Sequence, residues 1–267
     1  MASNLSTIGF VFPDEDSFRT SMVEFAAKAQ AQLEAPCGTY GIWRSRTGAE
    51  LWFHFGPSGD GNTEIFGLTP FFEGQSEADV RITGPIRREN DTPFEGAFYA
   101  WINPDEGDSG TYPVVFDAVD FAARSGETWP TVMRVKLSGF ARELRIFPTE
   151  EAYRATDTGS GAPQLAMQAF IPIGLFAAAE AEAAASGGAP TAPSSAALLT
   201  GRIIDANRMT NEATGKDFYW LLVESLDATF DIVADPEIIS GTVSAGSIVE
   251  ATVWLFGRCV GPAAANS

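Results

Sequence analysis

From Thr39 onward the apolar residues stop recurring at helical intervals and fall on every second position, and this change of period constrains the chain more than any other feature. TYGIWRS and AELWFHF, joined by Arg46-Thr47-Gly48, read as a hairpin. Leu51, Phe53 and Phe55 share one face of its second strand. Glu50, Trp52 and His54 share the other, which the charged neighbour marks as solvent-facing. After the turn GPSGDGN, TEIFGLTPFF reads as a third strand, and further strands are expected at 78–87, 96–103, 112–116 and 131–137. In the last of these Met133, Val135 and Leu137 alternate with Val132, Arg134 and Lys136. Past Gly139 the apolar phase moves to Phe140, Leu144 and Ile146, the mark of a glycine bulge.

Ahead of Thr39 the pattern differs. A short strand at 8–12 leads to Pro13 and the acids Asp14, Glu15 and Asp16, which suit the positive end of a helix. Phe18, Met22, Phe25, Ala29 and Leu33 then form one apolar helical stripe, read as core. Thr149 with Glu150 and Glu151 caps a shorter helix through Arg154. Residues 177–196, AAAEAEAAASGGAPTAPSSA, have no apolar period and read as a frayed turn running into a linker. Beyond it, 198–206, 217–226, 229–234 and 247–257 read as four strands. The expected fold class is therefore α+β: an antiparallel sheet with one main helix, linked to a small OB-like β-barrel or meander. The corresponding domains are 1–176, the linker 177–196, a small β domain at 197–260, which a strand of the first half could complete, and a tail at 261–267.

Composition narrows the functions. With 35 acidic against 17 basic residues the net charge is −18, and the acidity is spread over both halves. Such a surface repels phosphate backbones and anionic headgroups, so neither a nucleic acid nor a membrane is expected as partner, whereas a basic protein is compatible. No stretch of the sequence reaches the roughly 18–20 apolar residues of a membrane span, and the N-terminus lacks the pattern of a signal peptide. Cys37 and Cys259 stand near opposite ends without a CxxC, which reads as free thiols in a reducing cytoplasm, although one long-range disulfide stays open.

A single histidine is present, so any triad or multi-histidine metal site would rest on His54 alone. Asp117 and Asp120 in VVFDAVDF are the candidate carboxylate pair for glycoside chemistry, which needs two acids about 5–10 Å apart across a cleft. Asp105, Glu106 and Asp108 in the glycine-rich loop WINPDEGDSGTYP offer the oxygen ligands that calcium takes, although Phe116 stands where an EF-hand would place its bidentate acid. In DATFDIVADP, Asp231 is expected on the less apolar face of a half-exposed strand, and Asp235 before Pro236 as turn punctuation. EATGKD lacks the spacing of a phosphate loop and no GxGxxG follows a strand, so no cofactor is expected.

TGKDFYWLLVESLDATFDIVADPEIISG, with the later AGSIVEATVWLFGR, resembles the C-terminal part of a group of uncharacterised bacterial proteins. The resemblance rests on Thr214, Gly215, Phe218, Asp231, Val233 to Pro236, Gly246, Val249, Trp254, Leu255, Gly257 and Arg258. It implies a bacterial origin and assigns no role to any residue. The function expected from the residues is a non-catalytic acidic module that binds or inhibits another protein. The alternatives are a carboxylate enzyme acting on carbohydrate and a small-ligand or ion-binding barrel.

Overall fold

Asp14 caps the first helix as its sequence position suggests: its Oδ1 accepts the Ser17 amide at 2.7 Å, and α1 runs Glu15–Ala27. Phe25 is the helix's one buried residue, so α1 lies on the surface. The chain then becomes extended. Strands β1 (Ala31–Ala35), β2 (Gly38–Arg44), β3 (Ala49–Pro57) and β4 (Thr63–Phe72) form an antiparallel four-stranded sheet in that order, and Leu33 belongs to a strand rather than to the helical stripe. The computed structural model describes residues 3–156, 164–176 and 192–263.

The rest of the molecule is one larger sheet built from two similar units. The first is a meander of β5 (Ala78–Ile86), β6 (Ala97–Pro104) and β7 (Gly110–Ala118), followed by the long strand β8 (Thr131–Phe147). The short helix α2 (Glu150–Arg154), capped by Thr149, and the edge strand β9 (Ala169–Ile171) lead on to the second unit. That unit repeats the plan: β10 (Ala196–Asn211), β11 (Lys216–Ser225) and β12 (Ala228–Ala234) form a meander, then a two-residue strand, β13 (Ile239–Ser240), precedes the long strand β14 (Ile248–Pro262).

The two long strands are exchanged. β8 pairs antiparallel with β5 of its own meander and parallel with β12 of the other, through Asp231↔Ser138 and Val233↔Phe140. β14 pairs antiparallel with β10 and parallel with β7, through Phe256↔Asp117. They also pair with each other from Ile248↔Phe147 to Pro262↔Met133. Two five-stranded rings result, β5-β6-β7-β14-β8 and β10-β11-β12-β8-β14, sharing their two long strands. An approximate two-fold axis passes through the pair Ser138↔Phe256, since Leu137↔Gly257 mirrors Gly139↔Leu255 and Lys136↔Arg258 mirrors Phe140↔Trp254. Close approach at this crossing demands glycine: a Cβ on Gly257 would lie 2.3 Å from the Phe116 ring.

Both rings are filled by side chains. Val80, Phe98, Phe116, Leu137, Leu199, Leu221, Phe230 and Leu255 belong to one continuous buried cluster. A second cluster, with Trp52, Phe53, Phe71, Phe72, Phe140, Phe218 and Phe256, packs the four-stranded sheet across the shared strands. Tyr40 helps to fasten this sheet, donating to the Phe94 carbonyl at 2.6 Å and accepting from the Ala122 amide at 2.9 Å.

The α+β expectation is overturned. Strands dominate, and the longest helix lying wholly within the described residues has 13 residues. The second half's ring is completed by a strand of the first half, β8, as the sequence reading allowed. The physical reason lies in the length of β8: its 17 residues offer two edges, and both are used. The interruption in β8 falls at Arg142, where Thr252 pairs with Glu143 and Val253 with Ala141, and not at Gly139. Most of the expected linker, 177–191, and the end of the tail, 264–267, lie outside the described residues. No described helix is long and apolar enough to cross a membrane. Cys37 and Cys259 are both free thiols.

Candidate functional site

Asp231 is not on a solvated face. It is 1% exposed at the point where β12 meets β8, and donors surround it. Trp220 Nε1 donates at 2.6 Å, the Gln75 amide at 3.0 Å, the Ser76 amide at 2.8 Å and the Ser76 hydroxyl at 2.7 Å. Ser76 lies just ahead of β5, so this carboxylate locks the start of the first meander to the end of the second. The reciprocal lock is made by Asp117 at the end of β7. It accepts from the hydroxyl of Ser195, just ahead of β10, at 2.6 Å, from Trp254 Nε1 at 2.8 Å and from Arg88 Nη1 at 2.8 Å. Arg88 also donates to the Pro193 carbonyl at 3.2 Å and lies over the Trp254 ring.

Asp117 therefore carries a cation partner and two neutral donors, and it lines a polar cavity of about 280 Å³ with Arg88, Thr69 and Glu95. Asp120 belongs to a different network. Its carboxylate is 1% exposed and is held by Arg124 at 2.7–2.8 Å, with the Cys259 amide at 3.5 Å. Burial pushes the Asp120 carboxyl up, against the opposing pull of Arg124, and burial likewise pushes up the neighbouring Cys259 thiol. The two acids thus serve separate contacts, and of the two only Asp117 lines this cavity.

His54 overturns its solvent-facing assignment. It is 1% exposed, stacked on Phe94 at 5.2 Å between ring centroids and edge-on to Tyr40 at 5.4 Å. Its Nε2 lies 3.2 Å from the Thr69 hydroxyl, and among the described residues no aspartate is hydrogen-bonded to it. Burial pushes its pKa down to about 4, which keeps the ring neutral near pH 7. Alternation failed here because both faces of β3 are covered: every residue from Ala49 to His54 is buried.

The loop of Asp105, Glu106 and Asp108 is exposed and closed on itself. Asp105 Oδ1 accepts the Gly107 amide at 2.8 Å and the Ser109 amide at 3.3 Å, and Oδ2 accepts the Ser109 hydroxyl at 2.6 Å. These bonds, the Ser109 hydroxyl first, hold its carboxyl below the ordinary value. No group of three or more His, Cys, Asp or Glu among the described residues is placed to hold a metal. Asp235 does what its position implies, accepting the Glu237 amide at 3.0 Å to open a 3-10 turn.

A groove of about 600 Å³ lies where β5 and β12 begin, lined by Glu77, Asp79, Glu224 and Asp227 with Arg134. Arg134 is already engaged with both oxygens of Asp79, at 3.0 and 3.2 Å. Glu77 has only a distant Lys136, at 3.8 Å, and Glu224 and Asp227 have no cation partner among the described residues. The groove rim is the two-residue turn Leu226-Asp227, whose φ values of 48° and 60° both lie in the left-handed region. Leucine is costly there, and Asn103, itself at φ 46°, steadies the turn by donating to the Asp227 carbonyl at 3.1 Å.

The lock residues Ser76, Ser195, Arg88, Trp220 and Trp254 were not legible as a set in the sequence. One signal does point to them: Phe116-Asp117 and Phe230-Asp231 are the same dipeptide at the same place in two repeated units, FDAVDF and FDIVADP. Comparison with family models, with curated protein sequences and with solved structures returns no match.

Proposed function

We propose that the chain is a non-catalytic binding protein that offers its acidic groove to a basic segment of another protein. The observation that carries this reading is the groove itself: four carboxylates converge on one concave wall, and two of them have no cation partner among the described residues. Low-dielectric walls focus such a field outward, raising the local concentration of cationic groups and the rate of their encounter. The candidate catalytic side chains support the same reading, since Asp117, Asp120 and His54 each serve a packing or locking contact already. The net charge of −18 opposes phosphate-bearing partners.

The test is the affinity of a fluorescent lysine-rich peptide against wild type and the Glu224→Gln/Asp227→Asn double variant, measured by anisotropy at low and high salt. Wild type binds at low salt, loses affinity as salt rises, and binds at least about tenfold more tightly than the variant. Equal affinity for the two proteins, or for a glutamate-rich control peptide, refutes the reading.

A further inference from the structure

A different cavity, of about 420 Å³, lies on the seam where the four-stranded sheet meets the second ring. Its apolar wall is made by Phe72 at the end of β4, Met209 on β10 and Trp220 on β11. Trp220 is 3% exposed and its indole N–H is committed to Asp231, so it presents carbon to the cavity. The β2–β3 hairpin closes one side. That hairpin is held to the β10–β11 turn by the Arg46 amide, which donates to Glu212 Oε1 at 2.6 Å, while the Glu73 amide donates to the Gly48 carbonyl at 2.8 Å within the four-stranded sheet.

The polar groups on this cavity divide sharply. Both lining carboxylates are already ion-paired. Glu50, 0% exposed, accepts Arg44 Nε at 2.5 Å and Trp52 Nε1 at 2.7 Å, and Glu73 is paired with Lys136 and Arg258. Of the charged groups, those without a partner among the described residues are cationic: the outer Nη edge of Arg44 and the guanidinium of Arg46. A fully buried carboxylate is costly to desolvate and adds little to stability for its trouble, whereas holding a guanidinium by its Nε edge fixes the direction of the opposite edge. Glu50, itself held by Trp52, thus fixes Arg44 at the edge of the cavity.

We propose that this seam cavity binds a small carboxylate with an apolar or aromatic body. The body lies between Phe72, Met209 and Trp220, and the carboxylate meets the planar donor forks of Arg44 and Arg46. The ring interiors take no part, being filled with side chains. The site is independent of the acidic groove and stands whether or not that groove binds a protein.

The experiment is a titration of the intact chain with phenylacetate and, in parallel, with its uncharged analogue phenylacetamide, read from the Trp220 indole N–H resonance. Phenylacetate shifts this resonance, and phenylacetamide binds at least about tenfold more weakly, the discrimination that a charge-assisted hydrogen bond supplies. Arg46→Gln, an exposed substitution, weakens phenylacetate by a similar factor, and Asn207→Trp, which fills the mouth, removes binding with the melting temperature unchanged. Glu224→Gln/Asp227→Asn leaves the affinity as it was, which separates this site from the groove. Equal affinity for acid and amide, an Arg46→Gln variant that binds as wild type does, or no shift at Trp220 with either compound up to about 10 mM overturns the proposal.

Discussion

The two ring units solve the same problem with different chemistry. Each ends its meander in Phe-Asp, at Phe116-Asp117 and Phe230-Asp231, and each aspartate grips a serine that opens the other unit. Asp231 is 1% exposed and its four donors are all neutral. The side chain of Asp117 is 21% exposed and takes the Arg88 guanidinium as one of its partners. The topology sets where a lock must be, because a parallel junction between exchanged strands needs something to fix its register. Depth decides who makes it. In the interior a ring of aligned dipoles stabilises a carboxylate without bringing in a second charge to desolvate, and nearer the surface a cation is cheap to add.

This contrast can be broken in several ways, beginning with the largest effect. Asp231→Ala orphans buried donors on Trp220, Gln75 and Ser76 and should cost about 4 kcal/mol in urea unfolding, on the order of 1 kcal/mol for each lost bond. The loss should be the same in 1 M salt, since no partner of Asp231 is charged.

His54 must be separated before the locks are compared in acid. Its folded pKa of about 4 lies below the ordinary 6.5, so between these values the unfolded chain binds the extra proton. The stability from a neutral buried His54 is complete above pH 6.5 and is lost as pH falls toward 4, by about 3 kcal/mol in all. His54→Phe should flatten the pH dependence of unfolding across this window by that amount.

Asp117→Asn should cost less than the change at Asp231, about 1–2 kcal/mol, because Arg88 keeps the Pro193 carbonyl and the Trp254 face. Part of that cost should disappear in 1 M salt, which screens a half-exposed ion pair. The smallest effect is at the exposed Asp105 loop, outside both locks: Asp105→Asn should leave the melting temperature of the ring unchanged, with or without millimolar calcium.

Local features were well written in the sequence. The hairpin of β2 and β3, the Asp14 and Thr149 caps and the Asp235 turn all depend on neighbours a few residues away, and they form where the sequence places them. What the sequence conceals is which faces are covered and by what. A period of two assigns His54 and Asp231 to the opposite face from Phe53 and Ile232, but it cannot say that a second layer or a crossing strand buries that face too. Leu33 continued a helical stripe by spacing alone, yet β2 offered it an open edge to pair with. The exchange of β8 and β14 is a long-range choice between equivalent partners, and only the repeated Phe-Asp dipeptide hinted at it. What the sequence could not show is the contact each carboxylate makes: Asp117 and Asp231 hold the rings together.

The most direct test of that assignment is native-state hydrogen exchange on Asp117→Asn and Asp231→Asn. If the exchanged strands make the two units mutually dependent, either substitution should lower the protection of β7 and β12 amides together, by comparable factors within each variant. Protection lost only in the unit that carries the substitution, or full protection in both, would contradict the interlocked account.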